Sequence, residues 1–145
     1  MNSYALIAGA VLGGLFAALA YWARRHTKRI LVRGLIAAAL VYVLFAVTAH
    51  AGAAWIAGEL LGVVLYGGIA LRGLRGSAWW IAAGWALHPI WDIALHFVGP
   101  GHTLAPEWYT VPCVTWDLVV AAVVAIDALR GQLSQTRGVP RLATR

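Results

Sequence analysis

Three residues of one short segment could do chemistry together. His88, Asp92 and His96 recur at i, i+4 and i+8, a spacing that lines one face of an α-helix. A histidine and a carboxylate so placed can share one metal ion or act as an acid–base couple. Glu59 and Asp117 join them on a different ground. Each sits inside a long apolar stretch, where an ionisable side chain costs roughly 2.5–3.5 kcal/mol on insertion scales and marks a site of function. Counted from the expected outer ends of their helices, Glu59, Asp92 and Asp117 are each about six residues deep, about 9 Å at helical rise. Three acids from three helices thus share a level.

Three carboxylates in a poorly solvated bundle cannot all be ionised cheaply, because desolvation and mutual repulsion both oppose it. No Lys or Arg lies at that depth, so the neutralising charge must be bound protons, a protonated His88 or His96, or a divalent metal. The candidate metal ligands are His88, Asp92, His96 and Asp117, and the candidate catalytic residues His88, Asp92, Asp117 and Glu59. His88 and His96 are about 12 Å apart along a helix axis, so one pair ligates or two centres exist. The set also lacks the four carboxylates and two Glu-x-x-His motifs of di-iron bundles. The expected cofactor is at most one divalent ion, zinc or iron. Pro89, next to His88, removes a helical hydrogen bond and should kink the helix, freeing the Trp85 carbonyl and opening a cavity beside the polar cluster.

Composition shows what must position these residues. The chain has 145 residues, of which 62% are hydrophobic and 11% charged, against roughly 25% charged in soluble domains. Apolar stretches long enough to cross about 30 Å of hydrocarbon occupy about 3–22, 34–50, 53–71, 78–98 and 110–129. The expected fold is therefore all-α: a polytopic transmembrane bundle of five spans over 1–130, with a basic tail over 131–145. Four spans and a re-entrant segment are the alternative. The net charge of +6 would elsewhere suggest nucleic acid as partner. Here every basic residue falls in one of three stretches, Arg24 to Arg33, Arg72 with Arg75, and Arg130 to Arg145, that flank apolar runs. That excludes nucleic acid and, by the positive-inside rule, puts the N-terminus outside and the C-terminus in the cytoplasm. The first apolar run lacks a basic n-region, so it reads as a retained anchor and not a signal peptide.

The remaining features have plainer readings. Tyr21, Trp22, Trp79 and Trp80 fall at the expected inner interface and Trp55, Trp108 and Tyr109 at the outer one, as membrane anchors do. Gly9 with Gly13, and Gly58 with Gly62, would let helices approach closely. The single cysteine, Cys113, allows no internal disulfide and suits a small buried hydrophobe. His50 and His102 are expected to be solvated, and Asp127 to pair with Arg130 at a helix end.

The stretch Gly84-Trp85-Ala86-Leu87-His88-Pro89-Ile90-Trp91-Asp92, followed by His96, resembles a family of small, uncharacterised bacterial integral membrane proteins with a domain of unknown function. The similarity takes in Glu59, the Arg72-Gly73-Leu74-Arg75 turn, Cys113 and Asp117, roughly the second half of the chain. This chain departs from the pattern between Cys113 and Asp117, where Thr115 and Trp116 stand. The resemblance supplies no reaction; it implies only that the residues singled out by burial cost match a family pattern and that the protein is a multi-pass protein of the bacterial inner membrane.

The leading expectation is a membrane-embedded enzyme acting on a lipophilic small molecule from the outer leaflet, by metal-dependent or acid–base chemistry of isomerase or hydrolase type. The competing classes are a proton or metal-ion transporter or channel component, haem binding between His50 and His88 or His96, and a purely structural subunit. Membrane lipids are expected partners. A homo-oligomer is a further expectation, since five short spans enclose little space.

Overall fold

The computed structural model describes residues 3–131, so most of the expected tail, including Arg137, Arg141 and Arg145, lies outside the described residues. The described chain is all-helical. Helix α1 spans Ser3–Trp22, α2 Thr27–Thr48, α3 Ala53–Arg75, α4 Ala78–Trp91 and α5 Glu107–Leu129. A six-residue π-helical segment, Asp92–Phe97, continues α4 directly, and a short 3-10 turn, Pro100–Thr103, precedes α5.

Four of these helices, α1, α2, α3 and α5, are each long and apolar enough to cross a membrane. The α-helical part of the fourth expected span is only 14 residues, and it approaches spanning length only with its π-helical extension. Helix α2 begins at Thr27, well before the expected 34. Lys28, Arg29 and Arg33 lie on its first turns, where long side chains can lay their stems on apolar surface and keep the charge in water, so the charges do not delay the helix. The described basic residues gather at one end of the bundle, where Lys28 Nζ donates to the Gly76 carbonyl at 2.9 Å and ties the α1–α2 turn to the α3–α4 turn.

The helices close a ring. Helix α1 packs chiefly on α5, α5 on α4, α4 on α3 and α3 on α2, while α2 meets α1 more lightly. The centre is filled by Leu31, Leu35, Ala70, Ile81, Trp85, Val120 and Val124. The outside is apolar too, with Leu12, Leu19, Leu61, Val64 and Ile90 all exposed, as befits a helix surface facing lipid. Gly9 and Gly13 lie against the α5 backbone at Pro112 and Trp116, and Thr115 Oγ1 donates to the Leu6 carbonyl at 2.7 Å. Gly62 packs on the Trp91 ring, but Gly58 faces open space, so the second small-residue pair contributes one glycine only.

Asp127 departs from expectation. It is buried beside Tyr21 of α1, and among the described residues no ion pair joins it to Arg130. Asp127 lies on the inward face of α5, whereas Arg130 caps the helix and is exposed.

Candidate functional site

The π-helical turn decides how the polar residues are grouped. The Val98 amide reaches back to the Ile93 carbonyl at 2.9 Å, an i to i+5 bond that widens the turn relative to an α-helix. In an α-helix His96 would stack above Asp92. With the wider turn the row divides, and the two histidines serve separate groups.

The first group is His88, Asp92 and Asp117. His88 Nδ1 stands 2.8 Å from Asp117 Oδ2 and 3.4 Å from Asp92 Oδ1. All three residues are at most 1% exposed, and their ligand atoms lie within 4.8 Å of one another. Helix α4 supplies His88 and hands on to Asp92, while α5 brings Asp117 across from its own inward face. Beyond His88 and the Tyr42 hydroxyl nearby, neither Asp92 oxygen has a well-formed hydrogen bond, and His88 Nε2 has none. A buried acceptor left without a partner costs about 1–3 kcal/mol, and more when charged. Among the described residues every Lys and Arg lies toward the opposite end of the bundle, so no side-chain cation offsets this cost.

The second group is His96 and Glu59. His96 Nε2 stands 3.2 Å from Glu59 Oε1, and Trp91 Nε1 donates to Glu59 Oε2 at 3.4 Å. Glu59, level with the two aspartates along its helix, therefore answers to His96 and not to the aspartate pair. The loop after the π-helix closes over this group. Gly101 comes so near that a Cβ there would sit 3.0 Å from both His96 Nδ1 and the Trp55 ring. Trp55, read from sequence as an interfacial anchor, thus also covers His96, with ring centroids 6.4 Å apart. His50 and His102 are exposed, and the Pro100–Thr103 turn holds His102 away from both groups, with Nδ1 3.1 Å from the Gly99 carbonyl.

Aromatic residues that sequence spacing did not single out join the two groups. Tyr42 of α2 stacks on His96 at 4.1 Å between centroids and stands 6.0 Å from His88. Its buried hydroxyl faces Asp92. Tyr66 of α3 meets His88 edge-on at 4.8 Å and donates to the Leu87 carbonyl at 3.2 Å, holding the helix just before Pro89. The signal that would have found both tyrosines is depth: each lies well inside a span, away from the interfaces where anchoring tyrosines belong. Cys113 is half-buried, one turn from Asp117 on α5.

The first group could hold a metal ion. At metal–ligand distances of about 2.0–2.2 Å, neighbouring ligands of a tetrahedral zinc are about 3.3 Å apart, close to the separations of His88 from both carboxylates. No curated protein and no solved structure matches the chain. A family model described as a family of unknown function, DUF6010, matches residues 4–130, and the chain belongs to that family.

Proposed function

We propose that the protein is a membrane-embedded, metal-dependent enzyme in which His88, Asp92 and Asp117 hold one divalent ion, zinc or iron, and act on a lipophilic molecule. The observation that carries this reading is charge. Two buried carboxylates and a neutral histidine require two positive charges, and no Lys or Arg is near. A protonated His88 leaves the group one charge short unless an aspartate also takes up a proton; a single divalent ion balances both carboxylates at once.

Bound there, the metal would supply Lewis-acid polarisation of a carbonyl or phosphoryl oxygen or an activated water. The chain's own residues do the rest. Tyr66 and Tyr42 fix the His88 and His96 rings, and Trp91 holds Glu59 for proton exchange with His96. The Pro100–Thr103 turn and Trp55 keep water from that pair. In this reading the chain spans a bacterial inner membrane with its basic end in the cytoplasm, which puts the site toward the outer leaflet.

The transporter reading has less support. Between Asp117 and Asp127, α5 turns Val120, Ala121 and Val124 into the core, all buried against apolar side chains. That leaves about 15 Å of helix with no polar step. The test is the metal content of detergent-purified protein. The wild type should carry about one divalent ion per chain, and Asp92→Asn, which keeps shape but removes charge, should lose it. A wild type that is metal-free after mild extraction and cannot be reloaded removes the metal reading, leaving acid–base chemistry at His88 and Asp117.

A further inference from the structure

The light seam between α1 and α2 holds a cavity of about 290 Å³ whose walls include Phe16, Gly34, Ala38, Trp85, Trp116 and Asp117. Gly34 lets the Phe16 and Trp85 rings close against α2 at its edge: a Cβ there would crowd the Phe16 ring and come 3.2 Å from Trp85 Cζ2. Most of the lining is apolar; the polar side chains on it are Tyr109, Cys113 and Asp117, the carboxylate that also contacts His88. The Trp85 ring borders the cavity as well, and its indole Nε1 is buried and has no hydrogen-bond partner in a residue only 1% exposed. A buried N–H without an acceptor is uncommon in native proteins, and such a group calls for a ligand.

A second groove, of about 600 Å³, runs between α1 and α5 and shares Tyr109, Cys113 and Trp116 with this cavity. It is lined on α1 by Ala5, Ala8, Gly9 and Leu12. Those positions share a helix face with Phe16. The two spaces therefore lie in line along α1, from the loop end of the bundle down to Trp85 and Asp117.

We propose that this track binds a single-chain, uncharged amphiphile, with its hydroxyl or carbonyl oxygen accepting from Trp85 Nε1 beside Asp117 and its hydrocarbon chain lying in the α1–α5 groove. No basic side chain lines either space, so an anionic head would meet Asp117 without compensation, and a neutral head suits the site. At about 30 Å³ per water-sized group, the inner cavity holds a head and about eight or nine carbons, and the groove takes the rest. Occupancy stands apart from the metal; the assignment deepens the enzyme reading, and rests on it, only in making this ligand the substrate class.

The test is photolabelling in nanodiscs with a diazirine-bearing long-chain alcohol, the labelled peptides being mapped by mass spectrometry. Labelling should concentrate on residues that line the track, such as Phe16, Ala38 and Cys113. Ala38→Phe, which fills the cavity, should cut it at least fivefold, and a melting measurement should show the variant folded. Trp85→Phe should cut labelling by the alcohol severalfold while leaving that by a headless alkane diazirine unchanged. Labelling spread evenly over lipid-facing residues such as Leu44 and Leu61 and indifferent to both variants would overturn the proposal. Metal content read on the same samples separates the two claims: metal-free protein that still labels at the track removes the metal reading alone, and metal-loaded protein with uniform labelling removes this one alone.

Discussion

At the residue scale, the main finding is that one histidine serves two aspartates and the other a glutamate. The depth of Glu59, Asp92 and Asp117 was legible in sequence because lipid makes every ionisable side chain conspicuous. Their partnership was not. Helical periodicity assumes a uniform turn, and the Asp92–Phe97 segment does not keep one. Depth within their spans could have marked the tyrosines as candidates, but their partners were not legible: only packing shows Tyr42 against both histidines. The division predicts that the two histidines fail differently. His88→Gln should lower divalent-metal affinity at least tenfold, whereas His96→Gln should leave it within about threefold, both read by competition with a chromogenic chelator. Equal losses would mean a single centre. Gly101→Val, which forces a side chain toward His96 Nδ1 and Trp55, should lower stability by about 1–3 kcal/mol, as overpacking does, without lowering metal affinity.

At the scale of elements, apolar run length read the helices well and their ends less well. Basic residues on the first turns of α2 look like a boundary in sequence and are part of the helix. Pro89 is expected to kink the fourth span; α4 stays helical through it to Trp91, and the turn widens to π geometry at Asp92. Small-residue spacing predicted close helix approach at two pairs, and three of those four glycines pack closely while Gly58 does not. The α1–α5 contact should accordingly be sensitive to added bulk. Gly13→Leu would press on the Trp116 backbone, with a Cβ 2.7 Å from its carbonyl oxygen, and should lower the melting temperature of detergent-solubilised protein by several degrees, whereas Gly58→Leu should move it by less than about 1 kcal/mol equivalent, as surface substitutions do. If both variants melt like wild type, α1 is not held by this interface.

For the whole molecule, charge distribution and apolar length together made the membrane class legible, because neither survives in a soluble fold of this size. The ring order of the helices, and with it the seam between α1 and α2, is a matter of three-dimensional packing that no local pattern encodes. The proposed orientation rests on the basic end and is testable through the single cysteine. In a Cys113→Ala background, cysteine placed at His102 should react with an impermeant maleimide added to intact cells, and cysteine placed at Arg25 only after permeabilisation. The opposite pattern would turn the site toward the cytoplasm.

The central claim is that two aspartates and one histidine, buried without a side-chain cation, hold a divalent ion. X-ray absorption at the edge of the bound metal tests it most directly. The account predicts a first shell of one histidine nitrogen with oxygen ligands at about 2.0–2.2 Å and no sulfur, and loss of that signal in Asp92→Asn and Asp117→Asn. A shell with a sulfur at about 2.3 Å, a second histidine, or a spectrum unchanged in both variants would contradict it.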